Sequence, residues 1–180
     1  MKLMNDINPK NLLWMDLEMT GLEPATDLIV EVAVILTNFD LNQLVTYETG
    51  VKQDETLMRT LYYKNEWSRN RPAETEAEIQ KSLQGKYQSL VEDEIMGLIK
   101  QYFGDDPVYL AGNSIHTDRI FIKQYWPKLH GRLHYRMLDV SSFKLWHLGN
   151  GGEPFVKKEA HTALSDIQES IAELKSYTNK

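Results

Sequence analysis

Residues 11–19, Asn-Leu-Leu-Trp-Met-Asp-Leu-Glu-Met, form an apolar run that closes on two acids. Asp27 to Thr37 is a second apolar run, rich in Ile and Val, and 44–52 is a third. Runs of this length and composition predict strands. The turn-forming stretches Gly21-Leu22-Glu23-Pro24 and Asn38-Phe39-Asp40 separate them, so the chain is expected to open as an antiparallel meander. From 54 to 103 the pattern changes: Glu, Leu, Lys and Gln are abundant and β-branched residues sparse, which predicts helix broken at Gly85 and Gly104. Val108 to Ala111 is a short buried strand that ends at Gly112-Asn113. A helix follows from about Thr117 to Tyr125 and stops before Pro127. Tyr135 to Val140 predicts another strand, with Ser141 as N-cap of a helix through His147. Gly149 to Gly152 reads as a loop. Thr162 is placed to cap a last helix, in which Leu164, Ile167, Ile171 and Leu174 recur at helical spacing and face a core. Strands first, then strands alternating with helices, describe one mixed sheet covered by helices on both faces.

With 180 residues and 42% apolar content, the chain is expected to form a single domain, residues 1–180, with a substantial core. It has no cysteine. That excludes disulfides, thiol nucleophiles and cysteine-based zinc sites, and it favours an intracellular protein. No secretory h-region is visible at the N-terminus, and the longest apolar stretch, Leu28–Leu36, is interrupted by Glu31 and too short to span a bilayer. A cytoplasmic protein without membrane partners is expected. The net charge of −6 argues against a long polyanion track. Charge is uneven, however. Ile115 to Arg136 carries five basic residues (Arg119, Lys123, Lys128, Arg132, Arg136) and a single acid, Asp118, while the other fifteen Lys and Arg face twenty-five acids. A local basic zone in an acidic protein suits a small anionic ligand; ordinary solvated charges are the competing explanation.

Asp16 and Glu18 share one face of their strand, since side chains alternate with a period of two. Two neighbouring carboxylates at a buried strand end repel each other, and such a pair either raises a pKa or holds a cation. A half-exposed strand end with two solvated acids is the alternative. Asp118 opens a helix after the Gly112-Asn113 break, and Asp166 sits near the start of the last helix. Each would also favour a helix N-terminus for electrostatic reasons alone. Five residues separate His161 from Asp166, roughly 500° on a helix, so His161 can approach Asp166 only from outside the helix. Taken together, four acids at element ends can build a two-metal carboxylate cluster for in-line displacement at phosphorus. A histidine with an ordinary pKa near 6.5 suits proton removal from water.

Three segments then carry a family resemblance. Trp14-Met15-Asp16-Leu17-Glu18-Met19-Thr20-Gly21-Leu22, Gly112-Asn113-Ser114-Ile115-His116-Thr117-Asp118-Arg119 and His161-Thr162-Ala163-Leu164-Ser165-Asp166-Ile167-Gln168-Glu169-Ser170 resemble, in order, the three motifs of the DEDDh exonucleases, specifically of the oligoribonuclease family. Tyr135 to Ser141 is similar to that family too. The resemblance implies a ribonuclease-H-like α/β fold with a mixed five-stranded sheet. It implies two divalent cations, Mg²⁺ or Mn²⁺, 3′→5′ hydrolysis of very short RNA, dinucleotides above all, to 5′-mononucleotides, and a homodimer. Carried over by residue, Asp16, Glu18, Asp118 and Asp166 are metal acids and His161 the general base. Leu22 resembles a wedge between bases and Trp67 an aromatic that packs on substrate. Ser114, Arg136 and Ser141 resemble a grip on the 5′-phosphate, and Tyr135 a residue that reaches the neighbouring subunit. The chain departs from the family pattern after Trp67, where Ser68-Arg69-Asn70-Arg71-Pro72-Ala73-Glu74 replaces a His-Thr-x-Ser-Gly-Leu stretch. It departs again at His116-Thr117, Ile120 and Ser165. A DNA-proofreading exonuclease on the same fold and a non-catalytic dinucleotide-binding module are the rival functions.

Overall fold

The computed structural model describes residues 9–156 and 162–178. Strands β1 (Asn11–Met19), β2 (Ile29–Asn38) and β3 (Gln43–Gly50) come first. Helices α1 (Glu55–Lys64), α2 (Glu66–Arg69), α3 (Pro72–Leu83) and α4 (Gln88–Phe103) follow. The chain continues through β4 (Val108–Gly112), α5 (His116–Tyr125), α6 (Pro127–Arg132), β5 (Leu133–Asp139), α7 (Val140–Gly149) and α8 (Ala163–Thr178). The five strands form one sheet in the order β3-β2-β1-β4-β5. The meander β1–β3 is antiparallel, whereas β4 joins β1, and β5 joins β4, in parallel. The expected mixed sheet with helices on both faces is thus observed.

Alternation in β1 divides the core. Leu13, Met15 and Leu17 face one layer, where they pack with Val91, Ile95 and Ile99 of α4 and Phe121 and Ile122 of α5. Leu12 and Trp14 face the other, against Ala163, Ile167 and Leu174 of α8. Trp14 is fully buried, and its Nε1 donates to Thr37 Oγ1 at 2.9 Å, so the indole brings no orphaned donor into the core. Asp16 and Glu18 continue the α8-facing side of β1 toward the open end of the sheet. Among the described residues no helix is long and apolar enough to cross a membrane.

Two local devices shape that open end. Glu18 pairs with Glu31 but Met19 pairs with Ile29, so Val30 is an extra residue in β2. Such a bulge re-aims side chains: Val30 packs with Met58, Tyr62 and Ile79 of α1 and α3 rather than with the central core. Gly50 lets the end of β3 run against the carbonyl of Lys81, where any side chain would collide with backbone. This close approach seats α3 across the sheet end.

Several boundaries differ from expectation. The helical stretch 54–103 breaks at Asn65 and again before Pro72, not only at Gly85. Asn65 ends α1 and caps α2, its Oδ1 accepting from Trp67 N at 3.0 Å. Ser141 is not the cap of α7. Asp139 caps it, accepting from Ser141 N at 2.9 Å, and Ser141 lies within the first turn. Thr162 does cap α8, with Ser165 N donating to its Oγ1 at 3.3 Å.

Glu31, the acid that interrupts the apolar run of β2, is buried and meets Lys81 Nζ at 2.7 Å. Lys81 keeps one end in water, but Glu31 does not. Removing the lysine would strand a buried charge, a loss of about 3 kcal/mol. We expect Lys81→Met to lower unfolding free energy by about that amount in urea titrations, and Lys81→Met with Glu31→Gln to recover most of it.

Candidate active site

The acids converge where β1 ends. One carboxylate oxygen from each of Asp16, Glu18 and Asp166 lies within 4.8 Å of the others. β1 supplies two of them by its period of two, and the first turn of α8 supplies the third. Asp118 does not join that trio. It is buried, and its Oδ1 accepts from Leu17 N at 2.9 Å, so it is held on the peptide between the two strand acids. His161 lies outside the described residues.

Electrostatics at this corner is dominated by burial and like charge. The Glu18 carboxyl is pushed up to about 8, first by burial and then by Glu78, Glu31 and Asp166, with Arg71 opposing. Burial also pushes Asp118 upward, against the hydrogen bond from Leu17. Glu78 on α3 is raised by burial, although Tyr62 donates to it at 2.7 Å. An all-oxygen donor set whose members strain against their own charge suits a hard divalent cation such as Mg²⁺ or Mn²⁺. Glu31, Glu78 and Arg71 were not anticipated as neighbours of the site. Glu31 had a visible signal, a charge inside an apolar strand; Glu78 and Arg71 look like surface residues of a polar helix.

The residues expected to touch substrate fall into two groups. Leu22 is 76% exposed at the tip of a loop built around Asp27. The Asp27 carboxylate accepts from Thr20 Oγ1 (3.1 Å) and Glu23 N (2.9 Å), and Tyr125 donates to the Asp27 carbonyl (2.6 Å). Asn65 ties this loop to α2 through the Thr20 carbonyl at 3.3 Å. An open groove of about 650 Å³ runs between Leu22, Lys64 and Asn65. Trp67 is 55% exposed, with the Arg71 guanidinium stacked 4.0 Å from its ring. Arg71 lies in the segment, Ser68 to Glu74, where the chain departs from the pattern it otherwise resembles.

Ser114 and Ser141 form the second group. Their hydroxyls are 3.1 Å apart, and Ser114 N donates both to Ser141 Oγ (2.9 Å) and to Asp139 Oδ1 (3.0 Å). Ser114 has φ of 49°, in the left-handed region, which this pair of acceptors holds in place. Arg136 stands on β5, at one edge of the sheet, with its guanidinium 4.7 Å from the Tyr135 ring. It borders a cavity of about 330 Å³ shared with Asp139 and Ser142. Tyr135 is 63% exposed on the same strand.

Comparison with known proteins places this arrangement. The family model described as Exonuclease matches residues 13–174. The chain is 40% identical over 173 residues to an oligoribonuclease of Francisella tularensis subsp. novicida, covering 94% of this chain and 95% of that one. It is 38% identical to the oligoribonuclease of Neisseria meningitidis serogroup C, covering 93% and 90%. Among solved structures, product-bound exonuclease I superposes with a TM-score of 0.62 at 13% identity, covering 96% of this chain. A zinc-bound E. coli exonuclease I–ssDNA complex gives 0.61 at 14% identity and 96%. The chain spans 44% and 42% of those two chains, and the likeness to them carries the fold alone. That fold is the ribonuclease-H-like one expected.

Glu18, Asp118 and Glu78 bind their protons more tightly in the folded protein than in the unfolded chain. The stability these three groups contribute without metal is therefore fully present at low pH and is lost as pH rises from the ordinary carboxyl range through about 8. In EDTA we expect Tm to fall by roughly 5 °C between pH 6 and pH 8.5. Added Mg²⁺ should raise Tm more at pH 8.5 than at pH 6, and Glu18→Gln should flatten both dependences in calorimetry.

Proposed function

The chain belongs to the exonuclease family and, within it, to the oligoribonucleases, and from that membership we propose that it is a 3′→5′ exoribonuclease that cuts very short RNA, dinucleotides above all, into 5′-mononucleotides. The observation that carries this is the convergence of Asp16, Glu18 and Asp166 within 4.8 Å at one strand end. Residues 1–180 act as a single exonuclease domain. Asp16, Glu18, Asp118 and Asp166 hold two divalent cations, Mg²⁺ or Mn²⁺, which when bound supply Lewis-acid stabilisation of the attacking and leaving oxygens. Crowding among the acids supports this assignment.

The remaining steps belong to side chains. His161 removes a proton from the water that attacks phosphorus, and the P–O3′ bond breaks, releasing the 3′ nucleotide as a 5′-monophosphate. Leu22, held outward by the Asp27-centred loop, wedges between the two bases. Trp67 packs on the substrate, its ring fixed by the stacked Arg71. The Ser114–Ser141 turn and Arg136 together form the grip on the 5′-phosphate of the upstream nucleotide. A terminal grip of this kind sets an upper length on the substrate, which agrees with the net charge of −6 and the lack of a long basic track.

We also propose a homodimer that works in the cytoplasm. Its support is the β5 edge of the sheet, where Tyr135 is 63% exposed, together with Leu145 and Trp146 of the following helix α7, which are 75% and 76% exposed. Two copies joined there would bring Tyr135 of one protomer toward the site of the other. Aromatic residues of this kind are enriched at interface cores.

The test is turnover of 5′-phosphorylated RNA of two to ten nucleotides with Mg²⁺. The dinucleotide is expected to be cut fastest, with a steep fall beyond a few nucleotides. Asp16→Asn should lower kcat on the order of a thousandfold, about 4 kcal/mol of transition-state stabilisation. His161→Ala should lower it by about a hundredfold or more. Equal rates on long single-stranded DNA would support the proofreading alternative, and metal-dependent dinucleotide binding without a monophosphate product would support the binding module.

A further inference from the structure

One face of α8 carries three polar residues inward: Asp166, Ser170 and Glu173, spaced i, i+4, i+7. The first reaches the acid cluster. The other two reach Asn113, the residue that follows β4. Glu173 is fully buried. Its Oε1 accepts from Tyr177 Oη at 2.8 Å and lies 3.4 Å from Lys144 Nζ, and its Oε2 accepts from Asn113 Nδ2 at 3.0 Å. Burial pushes this carboxyl upward, but these donors outweigh it and hold Glu173 below the usual carboxylate range. Glu173 is thus a carboxylate, an acceptor without a hydrogen to give.

A buried acceptor fixes the amide that faces it. Asn113 must turn its NH₂ toward Glu173 and toward Ser170 Oγ, 2.9 Å away. Its carbonyl oxygen then faces Ser141, whose Oγ donates to it at 3.3 Å. Ser141 has a single hydroxyl hydrogen, so it has none for Ser114 or for a ligand. Its lone pairs receive Ser114 N instead. In the 3.1 Å contact between the two hydroxyls, Ser114 is therefore the donor. The Ser114 hydrogen is also the one that can rotate outward, because its present acceptor, Ser141 Oγ, already receives the Ser114 amide.

We propose that Glu173 and Asn113 are positioning residues that set the hydroxyl directions at this turn, so that Ser114, not Ser141, donates its hydroxyl hydrogen to the 5′-phosphate of a bound dinucleotide. The inference rests on the dinucleotide-hydrolysing function proposed above. Ser141 orients the Ser114 backbone, and Asn113 orients Ser141. The chain of contacts runs from the buried Glu173 and Ser170 of α8 through the half-buried Asn113 and Ser141 to the exposed Ser114, and a satisfied network holds one arrangement.

The experiment compares kcat/KM of the full chain, with Mg²⁺, on 5′-phosphorylated and 5′-hydroxyl diribonucleotides. Ser114→Ala is expected to cut the preference for the phosphorylated substrate roughly tenfold, through KM. Ser141→Ala should cut it less. Glu173→Gln, which keeps the volume but no longer dictates the Asn113 amide, and Asn113→Leu, which frees the Ser141 hydrogen, should both lower the preference through KM. Thermal melts of each variant separate this from loss of stability, which lowers both rates equally. A preference unchanged in Glu173→Gln and Asn113→Leu overturns the inference, as does a larger loss in Ser141→Ala than in Ser114→Ala. A parent that cuts both substrates equally overturns the phosphate grip itself, and one that cuts neither overturns the enzymatic reading beneath it.

Discussion

Repulsion among carboxylates at the open end of β1 is the constraint around which the rest of the molecule is arranged. A strand with period two must place Asp16 and Glu18 side by side, and the β1–β2 register sets Glu31 opposite Glu18. α8 adds Asp166 and α3 adds Glu78, both within electrostatic reach of Glu18. Each acid that is not left to a cation has a compensating group. Lys81 neutralises Glu31 and Tyr62 donates to Glu78. Glu18 lies beside Asp16 and Asp166, and its upward shift records burial and the charges of Glu78, Glu31 and Asp166. The fold therefore gathers carboxylates at the strand end where we propose the cations bind, and gives Glu31 and Glu78 their own donors beside it.

Holding like charges together requires an opposing force, and the hydrophobic layers supply it. Trp14, two residues before Asp16 on the same face, is fully buried against the α8 layer. Burying a side chain of that size contributes about 2–3 kcal/mol. Ala163 and Ile167 flank Asp166 and dock α8 on the same surface. The residues that fasten the helix and the residue that repels its neighbours thus lie within one helical turn, so the acid cannot retreat without breaking the apolar contact.

The parts legible in the sequence are those set by local periodicity. The strand runs, the apolar face of α8 and the shared face of Asp16 and Glu18 follow from spacing alone, and the observed ends of β1–β3 lie within about two residues of expectation. The parts that were not legible depend on long-range partners. Asp139 outcompetes Ser141 as the cap of α7 because its carboxylate also serves Ser114, twenty-five residues earlier. Arg71 lies in a polar segment with no outward sign that it stacks on Trp67. Asn113 and Glu173 are sixty residues apart, and nothing in either segment announces the other. Pair interactions across the fold leave no periodic trace; only a charge in the wrong place, as with Glu31, can betray them.

On the proposed reading, two stations on α8 would let an acidic protein handle an anionic substrate. Asp166 and Glu173 are seven residues apart on one face, about 10 Å along the helix axis. One anchors the acid cluster and the other, through Asn113, the serine turn. Both stations are fixed to a single helix, so in the proposed reading the separation between the reacting phosphate and the terminal one would be set by helix geometry rather than by a flexible loop. Affinity need not come from a long basic surface when a ligand of the right length is met at both ends. A longer strand would find no long basic track on a chain whose net charge is −6. On the proposed reading, selectivity for short substrates would follow from one helix and the sign of the chain's net charge.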